Sequence, residues 1–175
     1  MKRALFLMLL VGLMGPDKSI SQDNATIQRI SLAGYGLIKE SNELSIIKTD
    51  LIEAKKKLLN IGALDDLGVC YISRLIENIS LVEMICKYEG LILGTLHQTD
   101  ENNRLAQYKV HENRLKHYTL KSLYLHYKGT QAGNANIKDK VVLELADKAK
   151  NEMSAVAELV EEVIKILQSQ IIANP

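Results

Sequence analysis

The sequence contains no tryptophan, one phenylalanine and two prolines among its 175 residues. The prolines are Pro16 and Pro175, so the long interior has no residue that prevents a helix from continuing. That interior is rich in leucine, lysine, glutamate and alanine, which favour helices. With a formal net charge of +1, the chain has no strong overall field of the kind that attracts nucleic acid. We therefore predict an all-α protein and expect no nucleic-acid partner.

The sequence also lacks the short motifs of common enzyme and cofactor chemistry. It has no Gly-x-Ser-x-Gly, no phosphate-binding glycine loop and no dinucleotide fingerprint. None of the four histidines follows a glutamate by three residues, as the di-iron sites of helical bundles require. His111 and Glu112 begin a zincin-like pattern, but Leu115 stands where the second histidine is needed. We predict a non-enzymatic protein with no catalytic residues, no metal site and no cofactor.

Residues 1–21 have the pattern of a secretory signal peptide. Two basic residues precede an apolar run of about 12 residues, and small residues precede a predicted cleavage near Ser21. The run is too short for a membrane-spanning helix, which needs about 20 apolar residues, and Pro16 ends it. The pattern predicts a secreted or periplasmic protein with no transmembrane segment in the mature chain. An uncleaved N-terminal helix, either amphipathic or buried, is the alternative.

Residues 22–175 are predicted to form one domain, an elongated up-down-up-down four-helix bundle. Long helical segments, at about 24–59, 64–97, 104–128 and 137–173, alternate with three short breaks. The first segment has an apolar residue at every seventh position, a spacing related to that of coiled coils. These positions are Ile30, Leu37, Leu44, Leu51 and Leu58.

The second and fourth predicted helices differ in where their apolar residues fall. The second is apolar on more than one face, so we expect it to be the most buried element. Its Gly68, Gly90 and Gly94 would weaken it locally or let a neighbour approach closely. The fourth is clearly amphipathic, with a single broad apolar stripe. That stripe is wide enough for two partners, which makes a homo-oligomer through the fourth helix one alternative.

Two cysteines in an exported chain raise the question of a disulfide. Cys70 and Cys86 lie 16 residues apart on the second predicted helix, hence about 24 Å apart along its axis. A disulfide needs α-carbons within about 7 Å, so an internal bond is excluded. The remaining interpretations are an intermolecular disulfide or reactive thiol, and two buried free thiols that act as small apolar residues.

The third predicted helix is basic and carries the distinctive surface signal of the sequence. Its residues 104–128 include six lysines or arginines and one acidic residue. Arg114, Lys121 and Lys128 form one stripe along this helix, and His117 and Tyr124 lie beside it. These five residues are a possible contact surface for an anionic partner such as an acidic protein, lipid headgroups or polysaccharide. The alternative is that these residues face the acids of neighbouring helices or water.

Three functional hypotheses follow. The first is an exported, non-enzymatic bundle that acts through protein–protein contacts or on an anionic envelope surface, as an adaptor, a chaperone-like protein or an assembly subunit. The second is a bundle that binds a small molecule or cofactor, with Tyr108, His111, Tyr118 and the glycines of the second helix lining a cavity. The third is a homo-oligomeric structural protein.

Overall fold

The computed structural model describes residues 20–116 and 137–173, and all regular structure in these ranges is helical. The four helices are α1 (Ile20–Asn60), α2 (Asp66–Thr95), α3 (Glu101–Arg114) and α4 (Lys140–Ala173), with a 3-10 turn at Leu96–Gln98. The prediction of an all-α chain with four helices is confirmed. The predicted leader falls almost entirely outside the described residues, as do the end of the third predicted helix and the loop after it.

The turn between α1 and α2 lies where the sequence predicts a break. Gly62 has a φ of +65°, a left-handed conformation that favours glycine. Asp65 then caps α2, because its carboxylate accepts a hydrogen bond of 2.7 Å from the backbone N–H of Gly68. Glycine and aspartate thus reverse the chain within five residues.

Helices α1 and α2 run in opposite directions and pack along their length. Gly34 of α1 lies against Gly90 and Gly94 near the end of α2, whereas Lys55 Nζ donates to Ser73 Oγ at 2.6 Å near its start. At the contact of Gly34 with Gly90 and Gly94, which we name the glycine crossing, the two helix backbones touch. A Cβ added to Gly34 would lie 2.6 Å from the Gly94 nitrogen and 2.8 Å from the Gly90 carbonyl oxygen. The expectation of close approach is confirmed for Gly90 and Gly94 but not for Gly68, which lies at the start of α2 beside Leu64 and Asp65.

The core is built from the apolar faces of all four helices. Each of the seven-residue repeat positions of α1, from Ile30 to Leu58, is buried. Helix α4 packs on α1, and a Cβ added to Gly36 would lie 3.0 Å from the Leu159 side chain. Helix α3 packs mainly on α4. Burial of this apolar surface is the main stabilising contribution to the fold.

Most of the broad apolar stripe of α4 is buried inside this bundle. Leu159 and Ala146 of this stripe are partly buried, and the other members are buried: Val142, Leu145, Ala149, Met153, Val156, Val160, Val163, Ile166 and Leu167. Most of the surface that a homo-oligomer through the fourth helix would use is therefore covered within the chain, and that alternative stays a prediction. Across residues 20–116 and 137–173, no helix combines the length and apolar character required to span a membrane.

Candidate functional site

Of the five residues in the predicted basic contact surface, the structure describes Arg114. Its side chain is about half exposed, and its Nη2 atom lies 3.0 Å from Oε1 of Glu89 on α2. His117, Lys121, Tyr124 and Lys128 lie outside the described residues. The one basic group that the structure places is thus held by an acid of α2, and the wider surface stays a prediction.

Glu89 is the centre of a buried polar cluster. Its other oxygen, Oε2, lies 2.9 Å from Nδ1 of His111, and both side chains are at least nine-tenths buried. A buried carboxylate is costly without partners, and here an imidazole and a guanidinium supply them. Because Glu89 belongs to α2 and both partners belong to α3, the cluster attaches α3 to α2.

The next residue of α3, Glu112, faces α4 instead. Its Oε1 accepts a hydrogen bond of 3.0 Å from Nε2 of Gln168 and also contacts the ammonium group of Lys116. The hydrogen bond from Lys116, with a contribution from Gln168, lowers the pKa of Glu112 despite its partial desolvation. Consecutive residues His111 and Glu112 thus fasten the short helix α3 to two different neighbours.

The cluster has the composition of a catalytic dyad, but both side chains of its His–Glu pair are buried. A His–Glu pair activates a nucleophile when that nucleophile is within hydrogen-bond reach and open to substrate. His111 is only 2% exposed, so a substrate in solution does not reach its ring. The buried thiol of the molecule, Cys86, is a poor nucleophile, because burial and the nearby charge of Glu40 raise its pKa to about 12. Among the residues that the structure describes, no three His, Cys, Asp or Glu side chains are grouped as metal ligands. The contacts of Glu89 with His111 and Arg114 join α2 to α3.

The two cysteines have different environments. Both are free thiols on α2, Cys86 is buried and Cys70 is exposed. The interpretation of both as buried apolar residues is thus wrong for Cys70, which lies on the outer side of the helix. Cys70 is open to reagents or to a second thiol, whereas the neutral thiol of Cys86 is enclosed in the core.

The residues suggested for a ligand cavity have other roles in the structure. Tyr108 is buried in the core, and His111 is bound to Glu89. Gly90 and Gly94 lie against α1, so these two glycines make a helix contact rather than the wall of a cavity. Tyr118 lies outside the described residues. None of these placements favours the cofactor-binding alternative.

The outer side of α2 is the unexpected feature of the molecule. We name nine residues with alternating spacings of three and four the outer stripe: Leu67, Cys70, Arg74, Glu77, Leu81, Met84, Tyr88, Leu91 and Thr95. All are exposed except Leu81, which is partly exposed. Leu67, Met84, Tyr88 and Leu91 have exposed fractions of 67%, 50%, 61% and 51%. Eleven of the 30 residues of α2 are buried, a larger share than in the described parts of the other helices, as expected for the second helix, but its outer side is exposed.

An aromatic residue of α1 extends this surface at one end. The ring of Tyr35 is 59% exposed and lies 3.9 Å from the position of a Cβ on Gly94. Gly94 is three residues from Leu91, so Tyr35 stands beside the end of the outer stripe. Single exposed apolar residues are ordinary, but an aligned series of them indicates an interaction surface.

Searches against known protein families, curated proteins and solved structures find no match to this chain.

Proposed function

We propose that this chain is an exported, non-enzymatic helical-bundle protein that binds another protein chain through the outer stripe of α2. The exposed apolar residues of that stripe, from Leu67 to Leu91, are the observation that carries the proposal. They follow the heptad spacing with which one helix meets another. Such a protein would serve as an adaptor, a chaperone-like protein or an assembly subunit.

The proposed architecture is an up-down-up-down bundle. Support comes from the opposed directions of α1 and α2, shown by the Gly34–Gly90 and Lys55–Ser73 contacts. Helices α1 and α4 also run in opposite directions. Gly36 lies near Leu159, while Thr26, earlier in α1, lies 3.5 Å from the Gln170 amide nitrogen, later in α4. The outer stripe would then run along one side of the rod.

The proposal of export is supported by the charge and hydropathy pattern of residues 1–21. Intact-mass measurement of the protein purified from its own cell tests it. We expect a chain that begins near Gln22, with two free thiols or one intermolecular disulfide. A full-length chain recovered from the cytosolic fraction would contradict export while leaving the binding surface to be tested separately.

The binding surface is tested with matched charge substitutions on two exposed apolar residues. Tyr88→Lys places a charge in the outer stripe, and Val141→Lys places one on α4, where Val141 is 56% exposed. Chemical crosslinking in an extract of the envelope or medium, followed by purification of the chain, should give a discrete adduct with the wild type and with Val141→Lys. Tyr88→Lys should lose that adduct. Equal adducts from all three proteins would contradict the assignment of this surface.

A further inference from the structure

Helix α2 has two faces that are each suited to another helix. The inner face, which includes Ile72, Leu75, Ile79 and Val82, is buried against the rest of the bundle. The outer stripe repeats the heptad spacing on the opposite side, with two charged residues, Arg74 and Glu77, between its apolar members. Neither charged residue forms an ion pair within residues 20–116 and 137–173. A partner for this face must therefore be apolar at both ends and charged in the middle.

We propose that the occupant of the outer stripe is the outer stripe of a second copy of this chain, in an antiparallel arrangement. This inference rests on the proposed function and names its partner. The two-fold axis passes between Arg74 and Glu77, so that Arg74 of each copy faces Glu77 of the partner subunit. A two-fold interface repeats every contact, and the pair of opposite charges therefore forms twice.

The rest of the stripe matches in this register. Counting outward from the axis, Cys70 faces Leu81 of the partner subunit, and Leu67 faces Met84 of the partner subunit. Apolar residues thus meet apolar residues on both sides of the charged centre. Tyr88 and Leu91 continue past the start of the partner's α2, level with its turn between α1 and α2, where Ile61 is 75% exposed. The stripe is self-complementary in charge and in hydrophobicity.

Other arrangements of two copies lose this match. A parallel pair in register would place Arg74 against Arg74 and Glu77 against Glu77, and like charges in contact are repulsive. Sliding the antiparallel pair by one heptad would place Arg74 opposite Met84 or opposite Cys70 of the partner subunit. Charge complementarity therefore selects one direction and one register. The paired segment is about 18 residues of each helix, or roughly 27 Å, so the dimer should be reversible.

Charge reversal tests this register in the purified protein under reducing conditions. Sedimentation velocity over a range of concentrations should show a reversible monomer–dimer equilibrium for the wild type. Arg74→Glu alone and Glu77→Arg alone each create two repulsive pairs and should weaken association by roughly tenfold. The double variant Arg74→Glu with Glu77→Arg restores both pairs and should recover the wild-type dimer. Circular dichroism controls for folding, which these exposed positions should leave unchanged.

Disulfide trapping supplies a second, independent readout. The thiol introduced by Leu81→Cys would face Cys70 of the partner subunit, so mild oxidation should give a covalent dimer. The matched control Leu91→Cys has no thiol opposite it and should remain uncrosslinked. A Cys70–Cys70 bond in the wild type, formed as fast as the Leu81→Cys dimer, would indicate a parallel pair and overturn the inference.

The inference and the proposed function fail in distinguishable ways. A wild type that is monomeric at every concentration, or a double variant no better than the singles, overturns the self-association proposed here. If crosslinking in extract still gives an adduct that Tyr88→Lys abolishes, the outer stripe binds a different protein and the proposed function stands. If that adduct is also absent, both fail.

Discussion

Helices α4 and α2 have similar lengths, 34 and 30 residues, but use their apolar residues differently. Helix α4 gathers them on one broad face, and that face is buried in the core. Helix α2 spreads them over two faces, of which the bundle covers one and leaves the outer stripe exposed. Folding therefore accounts for most apolar residues of α4, whereas the aligned and exposed Leu67, Met84, Tyr88 and Leu91 of α2 require another explanation. An interface with a further chain is the explanation that we propose.

Truncating one apolar residue in each helix should give very different losses of stability. Leu167→Ala removes a fully buried side chain of α4 and should lower the free energy of unfolding by roughly 2–5 kcal/mol, since a cavity is left behind. Leu91→Ala, at a half-exposed position of the outer stripe, should change it by less than about 0.5 kcal/mol. Urea denaturation at low protein concentration measures both. A similar loss in the two variants would show that the outer stripe is covered within the monomer.

The glycine crossing offers a second comparison, this time within the α1–α2 contact. Gly34→Ala would force a methyl group against the backbone of Gly90 and Gly94, which cannot yield as a flexible side chain can, and should cost about 3 kcal/mol. Gly94→Ala meets the Tyr35 ring at an ordinary distance of 3.9 Å, and alanine favours the helix. It should be neutral or stabilising by up to about 1 kcal/mol. Thermal unfolding measures the stability of both variants. A small loss for Gly34→Ala would mean that the two helices lie farther apart than the structure shows.

A third comparison concerns the loss of stability when a carboxylate is removed from the core, at Glu89, or from the surface, at Glu158. Glu89→Ala removes the acceptor of His111 and should cost about 2 kcal/mol, because a buried imidazole loses its partner. Arg114→Ala should cost much less, since that guanidinium is half exposed, and Glu158→Ala on the surface of α4 should cost almost nothing.

Hydrogen exchange locates this effect. Amides of α3 should exchange faster in Glu89→Ala than in wild type, while those of α1 keep their protection. Unchanged protection in α3 would contradict the role of Glu89 as its attachment to α2.

The sequence predicted the helices better than their surroundings. Spacing alone identified the buried positions of α1 and α4, because a single apolar stripe has one way to be buried. For α2 the sequence did not show which of its two apolar stripes the bundle covers, because either stripe could meet a neighbouring helix. The Glu89–His111 pair joins residues 22 apart, and its geometry depends on how α3 packs, which no local spacing encodes. The heptad register of the outer stripe was present in the sequence as the signal for that surface.

The smallest expected effect compares the two faces of α2 through its thiols. Cys86 has a pKa raised from 9.0 to about 12 by burial and by Glu40, so it stays protonated in the folded state where the unfolded thiol ionises. The contribution of this thiol to stability is therefore constant below pH 9 and falls as the pH rises from about 9 towards 12. Cys86→Ala should lose less stability in that window. The remaining loss should include Tyr71, whose pKa is also raised, chiefly by burial and further by Asp147.

Thiol labelling at neutral pH completes this comparison. A maleimide should modify Cys70 in the native protein at once and Cys86 after denaturation, because one thiol is exposed and the other is enclosed and neutral. Cys70→Ser should abolish native labelling, and Cys86→Ala should leave it intact. At concentrations where the proposed dimer forms, labelling of Cys70 should slow, since Leu81 of the partner subunit would cover it. Rapid native labelling of both thiols would contradict the division of α2 into a buried face and an exposed one.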